Sequence, residues 1–383
     1  MRRPRFFSSV FAISALLVTL WIGLSWSHGF KQHSSAKLLP GAQYSQIRRS
    51  VSDTPVELAS RNAPPERTIE VGAHIENIHQ LSLKDKVYWM EGWYWLKWPE
   101  AIDKLIKADK VPLDQIVEFT NVVEETNLTE TLDTAEPIFM DEEKRYYQLV
   151  RFSGRFYVND LDLRRYPFVQ ITLPLTLEAK PDNLSCYPSG PPCVGLKPES
   201  DVVNMLVGQF ADINGYDLTA AEVRPFLHQY STTFGIHGLS AFNAIDFNLI
   251  YKTNPLAALA QYILPLMVIT GIVLASPSLP GSLGDVRLAI PTTALLTLIF
   301  LQQGYQANLP SLSYTTFLDW LYLYAYLISI VFFILFCWST NRFNYVDEDF
   351  RVDEEIIINR VDRRIQMIAV IVLFLLIPFA WLI

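Results

Sequence analysis

Polar side chains interrupt an apolar run long enough to cross a bilayer. Thr292, Thr293, Thr297, Gln302, Gln303 and Gln306 stand within residues 286–307, and spanning takes about 20 residues at about 1.5 Å rise each. Hydroxyls and amides are costly against lipid, so part of this helix must face protein or water. At about 100° per residue, Asp285, Ala289, Leu296 and Gln303 fall in one narrow stripe, with Thr293, Phe300 and Ala307 beside it. Arg287 stands nine residues before Leu296 and so points to the opposite face. The stripe reads acid, small, hydroxyl, bulky apolar, then amide. Such a face can select and gate ions: a carboxylate ring concentrates cations, and an apolar constriction blocks them by dewetting. The same pattern also suits packing inside a bundle, where polar groups bond between helices and Asp285, after Gly284, caps a helix N-terminus.

The 383 residues leave room for two domains, and 50% are hydrophobic, which is high for a soluble protein. Six His and three Cys show no CxxC or HExxH spacing, and no GxGxxG or P-loop occurs. No nucleophile–base arrangement is visible. These features predict a membrane protein that is not an enzyme and carries neither metal nor cofactor. The net charge of −8 argues against a nucleic-acid partner.

Arg2, Arg3 and Arg5 precede an apolar run at 6–26, which reads as a secretory signal peptide or an uncleaved signal anchor over residues 1–27. Residues 28–66 lack periodicity and read as a flexible linker. From 67 to 254 short runs rich in Val, Ile, Thr and aromatics alternate with Pro, Gly, Asn and Asp, the pattern of an all-β sandwich. Strands are expected at 68–75, 88–98, 146–158, 168–177, 226–234 and 241–251, with a short helix at 101–107. Residues 255–383 hold four apolar segments, at 256–275, 286–307, 317–338 and 365–383. With the β domain outside, the 339–364 segment lies inside and carries Arg342, Arg351, Arg360, Arg363 and Arg364, as the positive-inside rule requires. Cys186 and Cys193 flank a Pro/Gly-rich stretch expected outside the cytosol, which favours a local disulfide over free thiols.

Several blocks resemble the pentameric ligand-gated ion channels, the Cys-loop receptor superfamily, in its prokaryotic branch. Asn308-Leu309-Pro310 followed by Ser313-Tyr314-Thr315-Thr316 and Asp319 resembles the loop joining the second and third membrane helices. Residues 87–98 (VYWMEGWYWLKW) look like the family's second strand, and 156–168, ending RRYPF, like its signature loop. Tyr251-Lys252-Thr253-Asn254-Pro255 leading to Leu264-Pro265-Leu266 is similar to the approach to the first membrane helix. The resemblance covers roughly 67–383.

It implies an immunoglobulin-like extracellular sandwich followed by a four-helix transmembrane bundle. Five identical subunits would surround a pore in the bacterial inner (plasma) membrane, multi-pass, with the β domain extracytoplasmic. Asp285 would then be the selectivity ring for permeating cations. Ala289, Thr293, Leu296, Phe300, Gln303 and Ala307 would line the pore, with Leu296 and Phe300 as gate. A small-molecule or proton agonist would bind at subunit interfaces near Trp93, Glu178, Phe234 and His237, while Trp98 belongs to the core. Lys84, Asp85, Arg165, Pro167, Phe168, Lys252, Pro310 and Tyr314 would couple the two domains. There are departures. Val169 replaces the acid that usually follows the Pro-Phe pair, leaving its ion pair absent or supplied by Asp160 or Asp162. The loop lacks the superfamily's two cysteines, Glu178 and Lys180 stand where an aromatic is expected, and Pro291 falls one turn into the pore helix.

Overall fold

Strand alternation and aromatic content build the first half of the chain into two facing sheets. The computed structural model describes residues 48–51, 65–110, 115–158, 161–180, 194–230 and 241–382. The 1–27 signal or anchor, Asp160, Cys186, Cys193, Phe234 and His237 lie outside the described residues. The strands are β1 (Arg48–Val51), β2 (Thr68–Ser82), β3 (Val87–Pro99), β4 (Val117–Phe119), β5 (Thr129–Leu132), β6 (Ile138–Met140), β7 (Arg145–Tyr157), β8 (Gln170–Ala179), β9 (Gly195–Pro198), β10 (Val207–Phe210), β11 (Tyr216–Gln229) and β12 (Ala241–Thr253). One sheet runs β1-β11-β12-β8-β4, and the other runs β10-β2-β3-β7-β5 with β6 on β7 and β9 on β2. Among the described residues two α-helices interrupt the strands, α1 (Glu100–Asp109) and the short α2 (Val202–Met205).

Period-two burial explains the layering. Along β3 the burial alternates, with Tyr88, Met90, Tyr94, Leu96 and Trp98 facing inward and 0% exposed. Trp98 is thus core, as expected. Phe119 of β4 bridges the layers: its ring lies 5.5 Å from Tyr94 of β3 and 5.3 Å from Phe152 of β7. Deleting such a ring costs about 3–5 kcal/mol. Asn121 ties the sheets with polar bonds, its Nδ2 donating to Pro174 O at 2.8 Å and its Oδ1 accepting from Thr176 N at 3.1 Å. Gly92 lets β2 approach β3, since a Cβ there would sit 2.1 Å from His74 O.

The structure differs from expectation at several boundaries. Within the stretch read as a linker, Arg48–Val51 is a strand, paired in parallel with β11 at an otherwise open sheet edge. The strand expected at 226–234 begins ten residues earlier, at Tyr216, because its polar residues pair with β12 instead of following an apolar pattern. Strands β4, β5, β6, β9 and β10 are too short to leave a period.

Four helices follow that are long and apolar enough to cross a membrane: α3 (Pro255–Ser278), α4 (Gly284–Gln306), α5 (Phe317–Tyr345) and the last, α6 (Arg351–Leu382). The chain is a multi-pass membrane protein. Asn254 caps α3, its Oδ1 accepting from Ala257 N at 3.2 Å ahead of Pro255 at the first turn. A π-helical turn at Leu259–Ile263 precedes Pro265, which lacks an N–H to donate. Thr316 and Asp319 form a capping box at the start of α5. The stretch expected as an inner loop at 339–364 is mostly helical. Helix α5 runs on to Tyr345 and α6 starts at Arg351, because charged residues end an apolar run without ending a helix.

Candidate functional site

Helix α4 presents one face that nothing among the described residues covers. Asp285, Ala289, Thr293, Leu296, Phe300, Gln303 and Ala307 are all exposed, Leu296 to 57% and Phe300 to 63%. The opposite face, Arg287, Pro291, Ala294, Leu298 and Tyr305, is buried against the other helices. The helix runs unbroken through Pro291. Two of its hydroxyls bond to their own helix: Thr292 Oγ1 donates to Ala289 O at 2.9 Å, and Thr297 Oγ1 to Thr293 O at 2.9 Å. Arg287 is held by Asp362 of α6, 75 residues on. Sequence reasoning placed Arg287 off the stripe but missed Asp362. Its only trace was an acid among the arginines at 360–364, and no spacing rule links it to Arg287.

The β domain is joined to the helices through the loop at 161–169. Arg164 O accepts from Phe317 N at 2.6 Å, at the first turn of α5. Leu163 N donates to the Tyr314 hydroxyl at 3.0 Å, and the Arg164 guanidinium lies 4.9 Å over the Tyr314 ring. Arg165 lies 5.4 Å over Trp381 near the end of α6, and Phe168 meets Phe317 at 6.4 Å and Trp381 at 5.8 Å. Pro167 is buried, and Pro310 is half-buried beside Leu309. Asp162 is committed locally, bonding Arg164 N at 3.0 Å and Arg164 Nη1 at 3.1 Å. Val169 is 5% exposed, and its backbone N–H and C=O both bond Thr253 Oγ1 at 3.2 Å.

The other residues expected to couple the two domains sit differently. Lys84 and Asp85 are exposed on the 83–86 turn, where Asp85 accepts from Ser82 Oγ at 2.8 Å. That turn is tied by the backbone to the residue after β7, Val158 N donating to Lys86 O at 2.8 Å. Lys252 is exposed near the end of β12, opposite Gln170 and Asp217.

Trp93 and Glu178 lie in different sheets, so one chain does not bring them into one site. Trp93, with His74, Trp95, Lys97, Tyr147 and Glu199, lines a cavity of about 570 Å³ on the β3 sheet. Its Nε1 donates to Asp133 Oδ2 at 2.9 Å, and Arg151 lies 5.5 Å over its ring. Lys97 is clamped by Glu143 at 3.0 Å and Glu199 at 2.7 Å.

Glu178 of β8 is 2% exposed. Its carboxylate bonds His228 Nδ1 of β11 and accepts from the Tyr230 hydroxyl at 3.1 Å. Burial pushes its carboxyl above the usual range, against the opposing pull of His228 and Tyr230. Asp246 of β12 is raised likewise by burial, although Thr176 Oγ1 bonds it at 2.7 Å. His228, Tyr230 and Asp246 went unnoticed in the sequence because strand pairing, not spacing, gathers them. The described residues hold no cluster of three or more metal-ligating side chains. No family model matches the chain, and no curated protein matches it.

Proposed function

We propose that the chain is a subunit of a ligand-gated cation channel, homopentameric, in the plasma membrane with its β domain extracytoplasmic. The observation that carries this reading is the face of α4. In a helix that crosses a membrane, a stripe containing Asp285, Thr293 and Gln303 needs water or protein beside it. Five copies around an axis supply both: the stripes face a common water-filled path and the flanks pack against neighbours. Asp285 then forms a ring of carboxylates at the inner mouth, which favours cations, and Leu296 and Phe300 form the apolar gate.

The docked 161–169 loop supports gating from the β domain, since it touches the starts and ends of the membrane helices rather than their middles. An immunoglobulin-like sandwich preceded by a signal segment fits the same reading. In the assembly, the Trp93 cavity of one subunit would face the Glu178–His228–Tyr230 cluster of the next, giving an opener aromatic faces on one side and an acid on the other. The opener is a small extracellular molecule or the proton.

The test is ion flux through purified protein in liposomes and the reversal potential in a salt gradient. Wild-type current should reverse near the cation potential, and Asp285→Ala should move it toward zero. Absence of flux under every screened opener, with pH, divalent ions, amines and carboxylates among them, would favour a non-conducting membrane-anchored sensor. Reversal at the chloride potential would overturn cation selection.

A further inference from the structure

This inference rests on the pore reading of α4. We propose that Asp362 is a specificity-determining residue of the pore: by sequestering the Arg287 guanidinium, it keeps a ring of positive charge away from the Asp285 ring. Arg287 and Asp285 share the first turn of α4, two residues apart. Arg287 is 0% exposed and so is Asp362. Arg287 Nη2 donates to Asp362 Oδ2, and Nη1 donates to Ser339 Oγ of α5 at 3.4 Å. The guanidinium lies over the Phe336 ring with Cζ 4.3 Å from its centroid. Gly281 closes the site from the α3–α4 loop: a Cβ there would lie 3.7 Å from Arg287 Nη1.

Stability alone does not account for this pair. Removing two charges from water costs several kcal/mol per ion, and only complete bonding offsets it. Arg287 Nε and Asp362 Oδ1 find no partner among the described residues. An apolar pair of similar volume would pack at least as well. What the pair does accomplish is the placement of a charge.

The consequence follows from what each partner can do alone. A buried Arg287 that loses Asp362 is left as an uncompensated charge out of water, which is strongly unfavourable. It must swing to water on its flexible stem. Asp285 is exposed on that same first turn, two residues from Arg287. A guanidinium ring beside a carboxylate ring cancels the field that selects cations, and the pentamer repeats the cancellation at every subunit. Asp362 never touches an ion, yet it decides which charge the ion meets.

The experiment compares reversal potentials of full-length wild type, Asp285→Ala, Asp362→Asn, Asp362→Leu and the double variant Arg287→Met with Asp362→Leu. The two single Asp362 variants should lower the cation-to-anion permeability ratio by about fivefold or more, about 1 kcal/mol at the mouth. The double variant should return to within about twofold of wild type, because no guanidinium remains to intrude. Parental selectivity in both single variants overturns the proposal, as does a double variant shifted as far as the single one. If a single variant fails to assemble, it is mixed with wild-type subunits in graded ratios. A graded fall in selectivity supports the proposal, and no shift at any ratio overturns it. The wider reading fails separately: wild type without flux, or Asp285→Ala with unchanged selectivity, removes the pore itself. A shift in Asp285→Ala without one in the Asp362 variants removes only the part played by Asp362.

Discussion

Tyr166 of the β domain stacks on Tyr305 of α4, ring centroids 6.1 Å apart and planes 23° from parallel. Tyr166 also meets Tyr262 of α3 edge-on at 5.3 Å, and Tyr305 stacks on Tyr322 of α5 at 5.3 Å. The Tyr305 hydroxyl in turn donates to Asp319, which completes the capping box of α5 with Thr316. One ring from the 161–169 loop therefore reaches the buried side of the helix whose other side carries Leu296 and Asp285. An aromatic pair is worth about 0.5–1.5 kcal/mol beyond its area. Tyr166→Ala should then raise the opener concentration for half-maximal flux by roughly two- to tenfold, while Tyr166→Phe, which keeps the ring, should stay near wild type. Dose–response curves for the two variants decide it. An unshifted Ala variant removes the stack from coupling.

Leu296 gives the clearest test of the proposed gate. Its side chain is 57% exposed in the subunit, so substitution disturbs little packing within one chain. Leu296→Ser should lower the dewetting barrier and give leak without opener, or a higher sensitivity to it. Stability of the isolated subunit should change by less than about 0.5 kcal/mol. Basal flux in liposomes separates the outcomes: a well-assembled Leu296→Ser protein with wild-type currents would place this residue away from the ion path.

The Trp93 cavity offers a separate test of the proposed opener site. Trp93 and Trp95 line it together, and Trp95 Nε1 donates to Glu199, which also holds Lys97. Losing an indole face should weaken binding of a cationic opener by about 0.5–2 kcal/mol, or roughly two- to thirtyfold. Trp93→Ala should therefore shift amine responses while leaving leak through a Leu296→Ser pore unchanged. Equal responses to every opener in Trp93→Ala would exclude the cavity from the site.

The parts of this architecture that repeat with a period were readable in the residues. The stripe from Asp285 to Ala307 follows from 100° per residue, and Arg287 is buried on the opposite side as that phase requires. The apolar spans were legible because a bilayer imposes a length, and Trp98 because its strand alternates. What escaped was assembled by tertiary contact. Asp362 meets Arg287 only because α5 holds α4 and α6 in place, and His228 meets Glu178 only because β12 lies between their strands. Helix ends at Tyr345 and Arg351 were misplaced because hydropathy marks where lipid ends, not where backbone bonding ends. The edge strand at Arg48–Val51 depends on a partner that local composition does not reveal.

Glu178 ties the β domain to pH, and the sign follows from its burial. A carboxyl raised above its ordinary value holds its proton more tightly in the native state than in the unfolded chain. Its contribution to stability is therefore present in full below the unfolded value, about pH 4.3, and is lost as pH rises through the higher native value. Asp246, raised by burial in the same sheet, acts in the same direction. Charged and titratable groups around them include Glu118 of β4, paired with Lys180 at 2.8 Å, Arg224 and His228 of β11, and Tyr230, whose hydroxyl bonds Glu178. Glu178→Gln removes the buried charge and leaves an amide oxygen for the Tyr230 hydroxyl. Its thermal midpoint should fall less than that of wild type as pH rises from about 4 toward neutrality. If the proton is the opener, the same variant should also shift the pH of half-maximal flux. Parallel stability profiles for wild type and Glu178→Gln would show that another group carries the pH dependence. A shifted flux midpoint with unshifted stability would locate the titration at the gate instead of in this sheet.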